Sequence, residues 1–107
     1  MKFKIRINPV AIADVQELKA YIAEDSPGAA AMMGTAIYSK IENLADFPEM
    51  GASLSAKINI KTDYRFLACG VYLIFYKIEG QFFSVYRVLN GVRDYLSLLF
   101  KEELSKD

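Results

Sequence analysis

The chain has 107 residues, 53% of them hydrophobic, with 13 basic and 13 acidic side chains and no histidine. That length fits one compact domain over residues 1–107, which builds a single core by burying roughly two thirds of its unfolded surface. Zero net charge argues against strong nonspecific nucleic-acid binding, and the missing histidine removes the commonest general base, proton shuttle and metal ligand.

Phe3, Ile5 and Ile7 alternate with Lys4, Arg6 and Asn8, the period of a half-buried strand and not the pattern of a signal peptide. Asn8-Pro9 supplies an N-cap followed by a proline at the first helical position. Ala11, Val15, Leu18 and Ile22 then fall on one helical stripe, with Asp14, Glu17, Lys19 and Glu24 off it, which predicts an amphipathic helix to about Glu24. Ser26-Pro27 repeats the start signal after almost no loop, and Ala30, Met33, Ile37, Ile41 and Leu44 form a second stripe, so the two helices form an antiparallel hairpin. Phe47-Pro48 ends the second helix.

Residues 49–56, with Gly51, read as a loop, and Lys57 to Lys61 as a short strand or an extended lead-in. Three strands follow, from Tyr64 to Cys69, Tyr72 to Ile78 and Phe82 to Val88, separated by Gly70 and by a tight turn at Glu79-Gly80. Asn90-Gly91 breaks the pattern before Val92 to Leu104 returns to helical spacing through Leu96 and Leu99. The predicted class is α+β, in the order β-α-α-β-β-β-α.

Charge is unevenly spread along this order. Val10 to Met50 carries two lysines against seven carboxylates, whereas Lys57 to Arg93 carries six basic residues against two acidic ones. Such runs are either ordinary solvated faces or a basic sheet face that meets an acidic partner or a phosphate backbone. The hydrophobic fraction, slightly above the usual ~45–50%, leaves room for an apolar groove that a partner covers. Arg65, Arg87 and Arg93 are set into apolar and aromatic sequence, and a buried guanidinium is costly without a partner, so they mark a binding face.

The chemistry-bearing patterns are otherwise sparse. The helical carboxylates Asp14, Glu17 and Glu24 lack ligand spacing with any partner, and no cofactor or metal is expected. No serine sits in a nucleophile elbow, and there is no phosphate-binding glycine loop. Asn90-Gly91 either opens an anion site near Arg87 and Arg93, or simply caps the last helix while Arg93 pairs with Asp94 or a neighbouring carboxylate. Tyr72, Phe75, Tyr76, Phe82, Phe83 and Tyr86 read as core on one face with amphipathic tyrosines on the other, in preference to a base-stacking platform. Cys69 is alone, which excludes an intramolecular disulfide and fits a reducing cytosol.

The element order, the signature VYLIFYKIEG followed by SVYRVLNGVRDYLSLLF, and the hairpin YIAEDSPGAA leading to IENLADFPEMG resemble the RelE/ParE superfamily of type II toxin–antitoxin toxins, closer to its ParE branch. The resemblance covers nearly the whole chain. The RelE-like branch cleaves messenger RNA on the ribosome with basic residues on the sheet and a tyrosine near the C-terminal helix. Here Tyr72 is followed by Leu73 where that branch has an arginine, and Arg65 is followed by Phe66 and Leu67 where a second basic residue is common. Arg93 matches a basic position, and Leu99 stands at the terminal tyrosine, with Tyr95 as a substitute. A reduced nuclease site would therefore comprise Arg65, Arg87, Arg93 and Tyr95.

The ParE-like resemblance implies inhibition of DNA gyrase by protein binding, with no catalytic set. It also implies a hetero-oligomer with a cognate antitoxin whose C-terminal segment wraps the toxin. Arg65, Arg87, Arg93, Asp94 and Tyr95 are then expected as antitoxin or target contacts. A third outcome is a domain of the same fold that has lost toxicity and serves as a binding module.

Overall fold

The structure, a computed structural model, describes residues 3–93 and 95–100. The order is β1 (Lys4–Ile7), α1 (Pro9–Ala23), α2 (Pro27–Asp46), β2 (Ala52–Ser53), α3 (Leu54–Lys57), β3 (Arg65–Cys69), β4 (Tyr72–Glu79), β5 (Phe82–Asn90) and α4 (Tyr95–Leu99). The five strands form one sheet in the order β1-β5-β4-β3-β2. The pairs β2–β3, β3–β4 and β4–β5 are antiparallel, whereas β1 returns beside β5 in parallel. A parallel return needs a crossover, and the α1–α2 hairpin with the strands that follow it supplies one.

Both predicted caps form. Asn8 Oδ1 accepts from the Val10 N–H at 2.9 Å, and Ser26 Oγ accepts from the Ala29 N–H at 3.1 Å. The hairpin stripes meet the sheet as expected: Ala11, Val15, Leu18, Ile37, Ile41 and Leu44 are buried in one cluster with Ile74, Tyr76, Phe83, Val85 and Val88. A second core lies on the opposite face of the sheet, where Leu54, Tyr64, Leu73, Phe75, Leu89, Leu99 and Phe100 pack together under α3 and α4. The sheet is therefore apolar on both faces, which accounts for the near-continuous apolar run of β4.

Two corrections concern the middle of the chain. Residues 49–56 are not a plain loop, because Ala52–Ser53 pair with Phe66 and Arg65 at the sheet edge and α3 follows at once. Of the two readings of Lys57 to Lys61, a short strand or an extended lead-in, the strand does not form. Lys57 closes α3, and the chain from Ile58 to Tyr64 has no ladder partner among the described residues, because fully buried Leu54 anchors the turn to the second core instead. The third predicted strand runs two residues further, to Asn90. Phe75 pairs with Arg87 but Tyr76 pairs with Val85, so Tyr86 is an extra residue in β5. That bulge lets Val85 and Val88, three apart, both join the helix-side core. Of the final helix, Tyr95–Leu99 is described, and the predicted stretch from Lys101 to Leu104 lies outside the described residues.

Candidate functional site

The site begins where β1 ends. β1 pairs with β5 only over Phe82 to Val85, after which α1 departs through the Asn8 cap. Past Val85 the outer edge of β5 has no strand beside it among the described residues, and unpaired edge groups seek other partners. Asp14, one helical turn into α1, fills that position. Its Oδ2 accepts from the Val88 N–H at 3.0 Å and from Arg87 Nε at 2.8 Å, while Oδ1 accepts from Arg87 Nη2 at 3.0 Å. Arg87 Nη1 also donates to the Leu98 carbonyl at 3.3 Å. One guanidinium thus joins α1, β5 and α4, and the two Arg87–Asp14 bonds are the bidentate geometry that a planar fork favours. The Asp14 carboxylate raises the Arg87 pKa through these bonds, against the opposing effect of burial.

Around this ion pair lies an open cleft of about 300 Å³ between α1 and the β5 edge. Its walls include Glu17 and Tyr21 on α1, Tyr72 on β4, Asn90 on β5, Arg93 in the following loop and Leu98 on α4. Tyr21 is 63% exposed and Leu98 46%, so apolar surface faces solvent at the rim. Arg93 is exposed, and its side chain makes no ion pair among the described residues. The cleft is acidic on its helical wall and basic on its strand-and-loop wall.

The structure divides the predicted set. Arg87 and Arg93 line the same cleft, but Arg65 does not. It stands opposite Tyr76, beyond β4, and its Nη2 donates to the carbonyls of Glu49 and Gly51. Tyr76 completes that clamp by donating to the Pro48 carbonyl at 2.7 Å and accepting from the Gly51 N–H at 3.0 Å. Arg65 therefore braces the connection from α2 to β2. Tyr95 is stacked on Phe75, with ring centroids 5.5 Å apart, as part of the second core. Asp94 lies outside the described residues. Asn90 Oδ1 accepts from the Val92 N–H at 2.8 Å, a local turn after β5; α4 begins only at Tyr95, so Asn90 does not cap that helix as the sequence alternative had it. Asp14 carried no signal in the sequence, since it sits beside the apolar stripe at a position that elsewhere is solvated.

The fold is that of the RelE/ParE toxins. The toxin–antitoxin structure described as a chromosomal ParDE system from P. aeruginosa has a chain 15% identical to this one, covering 83% of this chain and 96% of that one with a TM-score of 0.68. A RelBE2 toxin–antitoxin complex from Mycobacterium tuberculosis is 16% identical over 84% of this chain and 99% of that one, with a TM-score of 0.52. No curated protein matches the sequence significantly. The family model described as ParE toxin of type II toxin-antitoxin system, parDE, matches residues 5–95, and the chain belongs to that family.

Proposed function

We propose that this protein is a ParE-like toxin of the cytosol that inhibits DNA gyrase by binding it and is neutralised by direct binding of a cognate antitoxin. The observation that carries the reading is the open cleft between α1 and β5, a surface with apolar rims and an exposed Arg93, suited to a polypeptide segment. A cleaving site needs cationic groups free to stabilise developing charge. Here Arg65 is occupied by backbone carbonyls and Arg87 by Asp14, and the Tyr95 ring is packed on Phe75. These arrangements support binding in preference to catalysis. The two solved relatives come from a ParDE system and a RelBE2 toxin–antitoxin complex, which supports an antitoxin as partner.

The test is induction of the chain alone in bacteria, with thymidine and methionine incorporation followed separately in the first minutes. Early loss of thymidine incorporation is expected. Early loss of methionine incorporation instead would replace this reading with messenger RNA cleavage, and no effect on either would leave a non-toxic binding module. Co-expression of the antitoxin is expected to restore growth and to yield a complex that copurifies.

A further inference from the structure

A second charged surface lies away from the cleft, on the face of the sheet turned from the helices. Among the described residues α3 and α4 cover that face over Leu73, Phe75 and Leu89, and leave β1 and the turn end of β4–β5 uncovered. Because Phe83 and Val85 join the helix-side core, their neighbours Phe82 and Ser84 lie on the outer face. The register sets Arg6 opposite Ser84 and Ser84 opposite Lys77, with Lys4, Phe82 and Glu79 in the next row. With strands about 4.8 Å apart, the Arg6 and Lys77 backbones stand about 10 Å apart across β5.

None of these three cations closes an ion pair among the described residues. Each is held over an aromatic ring instead: Arg6 Cζ lies 3.8 Å from the Phe82 centroid and Lys4 Nζ 5.9 Å from it, while Lys77 Nζ lies 4.5 Å from Tyr64 and 5.3 Å from Tyr86. Ring stacking fixes a cation without neutralising it. The anion in their midst is the exposed carboxylate of Glu79, whose two oxygens accept from Tyr86 Oη at 3.1 and 3.0 Å. The Ser84 hydroxyl first, and then Tyr86, Lys77 and Arg6, hold the Glu79 carboxyl below its ordinary value near 4.5, against burial, which opposes them. Ser84 Oγ is buried and makes no hydrogen bond of good geometry among the described residues, so Tyr86 is the well-formed donor to Glu79.

We propose that the ring-stacked cations Lys4, Arg6 and Lys77, with the Tyr86 hydroxyl, form a docking surface for an acidic polypeptide segment, whose Asp or Glu side chain takes the place that Glu79 occupies in the free protein. The chain's own carboxylate shows the chemistry the cradle accepts. Nucleic acid fits less well, because a base needs an open ring face, and Phe82, Tyr64 and Tyr86 are each covered by a cation. The hollow beside the cradle adds Asp63 and Arg65, which offset each other. This surface does not depend on the toxin reading.

The test is fluorescence anisotropy at low salt with a labelled oligoglutamate peptide and, separately, an oligothymidylate of the same charge. Saturable binding of oligoglutamate is expected, weakened by about fivefold to tenfold in Arg6→Gln and in Lys77→Gln, the loss due to one charge-assisted contact. Thermal melting of both variants shows whether the fold is kept. Glu79→Gln is expected to tighten binding more than Glu24→Gln, which makes the same charge change at the end of α1. Absence of oligoglutamate binding, preference for oligothymidylate, unchanged affinity in the folded Arg6 and Lys77 variants, or equal tightening by the two glutamate variants would each overturn the proposal.

Discussion

Asp14 does three things with one carboxylate: it pairs with Arg87, takes the Val88 N–H, and so closes the β5 edge where β1 stops. Its side chain is 9% exposed and that of Arg87 23%, so removing it strands a partly buried charge and a backbone donor together. A fully buried pair broken on one side costs about 3–5 kcal/mol, and partial solvation of Arg87 lowers that to about 2 kcal/mol for Asp14→Ala. Chemical denaturation with an unchanged m-value is the check, and a loss below half of that would make the pair a surface ornament. Glu79 gives a pH dependence of known sign. Its folded pKa lies below 4.5, so the stability it contributes is present above that value and is lost as pH falls through the folded pKa. Glu79→Gln is expected to lower stability slightly near neutrality, where the ionised carboxylate contributes, and to flatten the profile below about pH 4.5, as melting temperature against pH will show.

At the scale of elements, the connection from α2 to β2 depends on a close approach that only glycine permits. A Cβ on Gly51 would lie 2.5 Å from Tyr76 Oη and 2.6 Å from the Phe66 carbonyl oxygen, with Tyr76 already fixed by two hydrogen bonds. Backbone and a clamped phenol cannot yield cheaply, so Gly51→Ala is expected to cost about 2–3 kcal/mol. For a domain of this size that is a fall in melting temperature of roughly 10–20 °C, which calorimetry will read. The same clamp explains why Arg65 sits apart from the other two arginines: β3 places it opposite Tyr76, where it bonds the carbonyls of the α2–β2 connection. The bulge at Tyr86 acts at this scale as well, because it shifts the parity of β5 and sets Arg87 opposite Phe75 rather than in line with Val85 and Val88.

Across the whole molecule the two charged surfaces fall on different parts of the sheet. The cleft lies along the β5 edge against α1, and the cation row lies on the outer face near β1. Arg93 is the exposed cation of the cleft, so Arg93→Glu should leave the melting temperature within about 1–2 °C, as for a solvated position. Under the toxin reading it should weaken antitoxin binding at least about tenfold, about 1.4 kcal/mol, measured by calorimetric titration. Undiminished affinity would remove Arg93 from the interface.

The sequence alone determined what depends on near neighbours. Asn8-Pro9 and Ser26-Pro27 start helices because a capping oxygen reaches an N–H two or three residues on, and the stripes of α1 and α2 follow from a period of 3.6. The three antiparallel strands, their turns and the family resemblance were legible for the same reason. Tertiary structure decided what depends on residues far apart in the chain. The parallel pairing of β1 with β5, the second core that turns residues 54–57 into a helical turn, and the separation of Arg65 from Arg87 and Arg93 all needed the sheet to be assembled. Asp14 and Arg87 stand 73 residues apart, and no local pattern marks that pair. Alternation along a strand assigns a side chain to a face only when register and bulges are known, and those are set by the partner strand.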